Sequence, residues 1–160
     1  MKRILLLLAA LTLSAAVSGP LMAQGNPFVG SWKLNTEKSK STGVSVPKSL
    51  DRTVEAEGTG LKYTYKGTSG DGKPMDYTFS TKFDGKASPL NGAGAPGGAD
   101  SITLKRLNAS KTTAVLSKGG TEIGKSTAEV SKDGKITTIT TTGKTPDGKD
   151  FSTTGVFDKQ

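Results

Sequence analysis

From Phe28 onward the chain alternates apolar and polar residues with a period of two. Phe28–Leu34, Leu50–Glu57, Leu61–Gly67, Met75–Phe83, Ile102–Leu107, Thr112–Ser117, Thr121–Val130, Lys135–Thr142 and Phe151–Asp158 are rich in Thr, Val, Ile, Tyr and Phe and are predicted strands. No stretch of eleven or more residues shows apolar spacing at three and four, so no substantial helix is predicted. Alternation places Leu61, Tyr63 and Tyr65 on one face of their strand, and Met75, Tyr77, Phe79 and Phe83 on one face of the next. Neighbouring strands thus present an aromatic wall. Leu104, Leu116, Ile123, Ile136, Phe151 and Phe157 add inward positions on later strands, interleaved with threonine.

The separators define the connectivity. Asp-Gly-Lys occurs at 71–73, 84–86, 133–135 and 147–149. Aspartate bonds to its own turn backbone and glycine tolerates positive φ, which makes such pairs strong hairpin signals. Gly58-Thr59-Gly60 and Gly119-Gly120 mark further tight turns, and the sequon Asn108-Ala109-Ser110 is read as a turn. Short connections make the strands sequential antiparallel neighbours, and a long meander removes its exposed edges by closing. The expected fold is all-β: an up-and-down antiparallel meander barrel of about 8–10 strands, with an antiparallel two-sheet sandwich as the alternative. Two segments interrupt the rhythm. Asn35–Ser49 is a polar connection too short for a helical hairpin, and Ala87–Asp100, rich in Gly, Ala and Pro, reads as a mobile loop or a lid over a barrel mouth.

The first residues follow a different pattern. Lys2 and Arg3 precede an apolar run, Ile4–Leu13, that is too short to span a bilayer, and small residues lead to Ala23. Residues 1–23 are read as a secretory signal peptide, and 24–160 as a single periplasmic or secreted domain without a transmembrane segment. The chain lacks the cysteine that a lipid anchor requires.

Composition narrows the chemistry. Without cysteine there is no disulfide, and with neither cysteine nor histidine there is no Ser-His-Asp or Cys-His catalysis and no His or Cys metal ligation. No spacing singles out a carboxylate pair, and each Asp-Gly-Lys turn carries too few carboxylates to hold calcium. No enzyme activity, cofactor or metal is expected. Formal charge is +8, or +6 without Lys2 and Arg3, and the lysines are scattered. That pattern suits a solvated surface with weak attraction to anionic envelope surfaces. Lys62-Tyr63-Thr64-Tyr65-Lys66 is read as a half-buried strand, not as a nucleic-acid platform. Roughly a quarter of residues 24–160 are apolar, low for a globular domain, so the interior is either a thin core or partly a cavity.

Phe28, Gly30, Trp32 and Leu34 form a Gly-x-Trp pattern on the first strand. This pattern resembles the N-terminal signature of the lipocalin and fatty-acid-binding families, which together form the calycin superfamily. Thr153–Gln160, "TTGVFDKQ", resembles the closing strand of a fatty-acid-binding protein. As a whole, the chain is similar to small exported bacterial lipocalin-like proteins. The resemblance implies that the first and last strands pair and that Gly30 and Trp32 plug the closed end. It also implies a basic residue packed across the indole; Gly155 aligns with that position, leaving Lys159 or Arg106 as substitutes. The expected function is a monomeric, non-enzymatic barrel that binds a small hydrophobic or amphipathic molecule. Tyr63, Tyr65, Tyr77, Phe79 and Phe83 would line its interior, with Arg106 as partner for an acidic headgroup. The alternative is an envelope scaffold or surface-interaction protein without an internal ligand.

Overall fold

The computed structural model describes residues 25–160; the predicted signal peptide lies outside them. Eleven strands are formed: β1 Gly30–Thr42, β2 Ser49–Glu57, β3 Gly60–Thr68, β4 Pro74–Thr81, β5 Asp84–Pro89, β6 Asn91–Ala93, β7 Ser101–Asn108, β8 Lys111–Lys118, β9 Thr121–Val130, β10 Ile136–Lys144 and β11 Asp150–Lys159. They make one sheet in the order β5-β7-β8-β9-β10-β11-β1-β2-β3-β4-β6, with every ladder antiparallel. The sheet rolls into a nearly closed meander barrel. Among the described residues the one helical segment is a single 3-10 turn, Pro96–Gly98.

The first and last strands pair, with Trp32 opposite Lys159 and Leu34 opposite Phe157. This contact joins the two halves of the meander and leaves a seam between β4–β6 and β5–β7. Three Asp-Gly-Lys turns close hairpins by a shared device. A hydroxyl two residues before the aspartate donates to its carboxylate: Ser69 to Asp71, Ser131 to Asp133 and Thr145 to Asp147. The following glycines, 72, 134 and 148, have positive φ, as the turn requires.

The fourth such turn departs from the expectation. Asp84-Gly85-Lys86 opens β5, which pairs with β7 and not with β4. Lysine, not Ser or Thr, stands two residues before Asp84, and the intervening Phe83 adopts φ 59, a left-handed conformation that costs an aromatic residue strain. Between β4 and β7 sequential pairing is therefore lost: β4 pairs with β6 and β5 with β7, so none of β4/β5, β5/β6 and β6/β7 forms a ladder.

Both irregular segments are more ordered than expected. β1 runs to Thr42, so most of Asn35–Ser49 is strand. The polar stretch is a bulge: the pairing with β11 shifts between Asn35 and Lys40. Ser39 Oγ donates to the Asn35 carbonyl at 2.6 Å and accepts from Val156 N–H at 3.0 Å, replacing the interrupted ladder. Ala87–Asp100 supplies the end of β5, all of β6 and the 3-10 turn, and is not a bare loop. Its backbone pairs with β7 and β4, which requires no apolar side chains. At Gly92, φ is 112 and an added Cβ would lie 2.1 Å from the Asp76 carbonyl, so only glycine permits that pairing.

Candidate functional site

Trp32 lies buried at the end of the barrel where β1 begins and β11 ends. The indole is buried, and its Nε1–H donates to the Phe28 carbonyl at 3.0 Å, satisfying its one polar atom. Gly30 precedes it at φ 135, and a Cβ there would meet Lys159 Cε at 2.9 Å, which explains the small residue at this position. Lys159 Nζ lies 5.0 Å from the indole centroid, so the expected packing cation is Lys159. A second cation comes from β2. Arg52 sits opposite Trp32 in the ladder, 1 % exposed, with its guanidinium carbon 5.9 Å from the indole and 5.3 Å from the Tyr63 ring. Sequence reading missed Arg52 because charge on a strand normally faces water. The Leu50-x-Arg52-x-Val54 alternation, which places it inward, was the available signal.

Above the plug, β3 and β4 carry a ladder of aromatic pairs. Tyr63 stacks on Phe79 and Tyr65 on Tyr77, each with centroids 4.7 Å apart. These are directly opposed residues in register, where such rings meet. Arg52 Nε donates to the Tyr65 hydroxyl at 3.1 Å. Burial raises the ionisation range of the Tyr63 phenol, with the nearby Arg52 charge opposing that rise. Burial raises Tyr77 likewise, reinforced by Tyr65 and opposed by Arg52. Both phenols are neutral hydrogen-bonding groups at ordinary pH.

A cavity of about 360 Å³ fills the other half of the barrel. Its walls include Leu34, Leu50, Leu116, Ile139, Phe151 and Phe157, and Ser126 and Thr141, whose hydroxyls bond each other at 3.0 Å, add polarity. Its rim comes from Val44–Pro47 between β1 and β2, Ala95–Gly98 after β6, and Thr145–Pro146 between β10 and β11. Topology puts these connections at the end opposite Trp32.

Of the six residues expected to line the interior, Tyr65, Tyr77 and Phe79 border the cavity, and Tyr63, Phe83 and Arg106 do not. Tyr63 is buried one layer deeper, between Phe79 and the Arg52 guanidinium. Phe83 lies beyond the end of β4 with a positive φ, half-buried against the core but off the cavity. Arg106 is exposed near the β7–β8 turn, beside a register shift, with its guanidinium carbon 4.6 Å from the Phe83 ring. Of the rim, Ala95–Gly98 falls in the Ala87–Asp100 segment read as a loop or a lid over the mouth, whereas Val44–Pro47 and Thr145–Pro146 escaped sequence reading because their loops carry no periodic pattern. Among the described residues no group of three or more His, Cys, Asp or Glu is placed to hold a metal ion, and no helix is long and apolar enough to cross a membrane.

No family model and no curated protein matches the sequence. Solved structures give matches at low identity. Zebrafish ileal bile acid-binding protein complexed with cholic acid is 16% identical, with 84% of this chain and 99% of that chain covered and a TM-score of 0.49. The siderocalin Ex-FABP, described as functioning through dual ligand specificities, is 14% identical, with 84% and 74% covered and a TM-score of 0.36. The architecture stands on the chain's own geometry: a nearly closed antiparallel meander barrel whose terminal strands pair beside the buried Trp32.

Proposed function

We propose that this chain is an exported, non-enzymatic carrier or receptor that takes a small hydrophobic or amphipathic molecule into its barrel. The observation that carries the reading is the cavity of about 360 Å³, walled by apolar side chains and rimmed by three loops. Ligand sites are concave, mostly apolar and largely preformed, with a few polar groups that fix orientation. Here the polar groups include the Tyr65 and Tyr77 phenols, the Ser126–Thr141 pair and, on β1, Ser39 and Lys40. The absence of histidine and cysteine, together with carboxylates that all lie outside the buried set, supports binding over catalysis.

The test is titration of the purified protein with the neutral fluorescent probe N-phenyl-1-naphthylamine, alongside Ile139→Trp. The indole would occupy the cavity from its wall. Saturable binding that the tryptophan abolishes, in a variant that still melts cooperatively, supports the reading. Absence of saturable binding, or binding indifferent to the filled cavity, overturns it.

One feature favours surface contact as a second reading. Leu107 is 58% exposed beside Lys105 and Arg106, neither of which forms a salt bridge among the described residues. Cations flanking an exposed apolar side chain suit an anionic surface. Co-sedimentation with anionic vesicles that is lost in Leu107→Ser/Arg106→Ser would support it, and indifference to those changes would count against it.

A further inference from the structure

Beneath the cavity, behind Tyr65, lies a buried positive charge with no counter-charge. Arg52 is 1 % exposed and forms no salt bridge with any described residue. Its Nε is used on Tyr65, and its buried Nη1 has no hydrogen-bond partner. No carboxylate is buried with it. The least exposed, Asp158, accepts from Asn35 Nδ2 at 2.7 Å and alternates with the inward-facing Phe157. Burying an uncompensated guanidinium is costly, and the Trp32 and Tyr63 rings recover only part of that cost. The plug alone gives no reason to accept it, because Lys159 already supplies a cation to the indole from a solvated position.

Tyr65 connects this charge to the cavity. Its hydroxyl oxygen accepts from Arg52 Nε, which leaves its own proton to donate, and its side chain borders the cavity. The donor chain Arg52–Tyr65 therefore ends at the cavity floor, where an acceptor on a bound molecule would complete it. We infer that Arg52 is a specificity-determining residue: it makes the cavity select molecules with an anionic head over neutral molecules of the same body. The head lies toward Tyr65 and the apolar body toward Leu116, Ile139 and Phe151. This rests on the cavity-binding reading and adds the sign of the ligand's charge and the group that reads it.

Two probes that differ by one anionic group test it: N-phenyl-1-naphthylamine and its sulfonate, 1-anilinonaphthalene-8-sulfonate. At about 0.15 M salt the distant surface lysines are screened; Lys40, which borders the cavity, is controlled by Lys40→Met, which should leave the preference in place. The native protein should bind the sulfonate about 10- to 100-fold tighter, the range expected for hydrogen bonds to a charged group. Arg52→Met should bring the two probes to within about twofold by removing that term, while keeping affinity for the neutral one. Arg52→Lys should retain part of the preference. Tyr65→Phe, which keeps the guanidinium, should weaken the sulfonate selectively and decides the matter if Arg52→Met does not fold. Equal affinity for both probes in the native protein overturns the inference while leaving the cavity reading intact. Equal loss of both probes in the variants assigns Arg52 to the plug alone. Failure of the native protein to bind either probe removes the cavity reading itself.

Discussion

Trp32 and Arg52 face each other across β1 and β2, both turned into the barrel, with the guanidinium carbon 5.9 Å from the indole centroid. The barrel's one tryptophan and its one buried charge therefore form a single unit, with Lys159 on the indole from β11. That unit is joined to the cavity-bordering Tyr65 by the hydrogen bond from Arg52 Nε.

Trp32→Ala should cost about 3–5 kcal/mol, the range for deleting a buried aromatic. It also exposes Arg52 to the space left behind, so the loss should lie toward the upper end. Trp32→Phe keeps most of the volume but leaves the Phe28 carbonyl without its donor. It should cost less, by about 1–2 kcal/mol in all. Urea midpoints for the two variants check the order; equal losses would show that the plug is not set by volume.

Phe79 separates packing from binding. It is buried on Tyr63 and borders the cavity on its other side. Phe79→Ala should cost about 3 kcal/mol, the low end of the fully buried range, because part of the ring borders the cavity. Neutral-probe affinity should change with the enlarged cavity. A loss near 5 kcal/mol with unchanged probe binding would mean that the ring belongs to a filled core.

Acid should act through the turns. Asp71 is held down to about 2 by hydrogen bonding from Lys73 and then Ser69, and Asp147 to about 2 by Lys149 and then Thr145, from a usual 3.8. A depressed carboxylate contributes stability above its unfolded value and loses it as pH falls through the folded one. Melting temperature should therefore hold from neutrality to about pH 4 and decline between about pH 4 and 2. Both groups are fully exposed, so the effect should be modest and reduced by salt. Asp71→Asn/Asp147→Asn should flatten the decline, and an unchanged profile would place acid sensitivity elsewhere.

At alkaline pH the tyrosines reverse the sign. Burial raises Tyr63 and Tyr77 above the ordinary phenol value of 10.0. Between that value and the folded ones the unfolded chain releases protons that the barrel retains, so stability should fall as pH rises above about 10. Absorbance titration of the phenolates should show part of the tyrosine signal appearing only with loss of the folded circular-dichroism spectrum. Full ionisation of Tyr63 and Tyr77 in an intact barrel would contradict their burial.

The sequence by itself determined what depends on neighbours along the chain. A Ser/Thr–x–Asp-Gly-Lys turn closes through atoms within five residues, so those three hairpins were legible. Tyr63, Tyr65, Tyr77 and Phe79 share a wall because strand alternation is geometric. Trp32 with Gly30 at the first strand and the aromatic closing strand gave the plug and the pairing of the ends. Tertiary structure decided what depends on partners distant in sequence. β5 and β6 are strands because β7 and β4 lend them hydrogen bonds, not because their own residues favour it. Phe83, half-buried against the core, and Arg106, exposed over its ring, lie off the cavity because the chain turns off its meander at the seam. Arg52 lies inside because its register with Trp32 overrides the usual solvation of a charge. The cavity exists because loops far apart in sequence meet at one rim, a volume that no local pattern encodes.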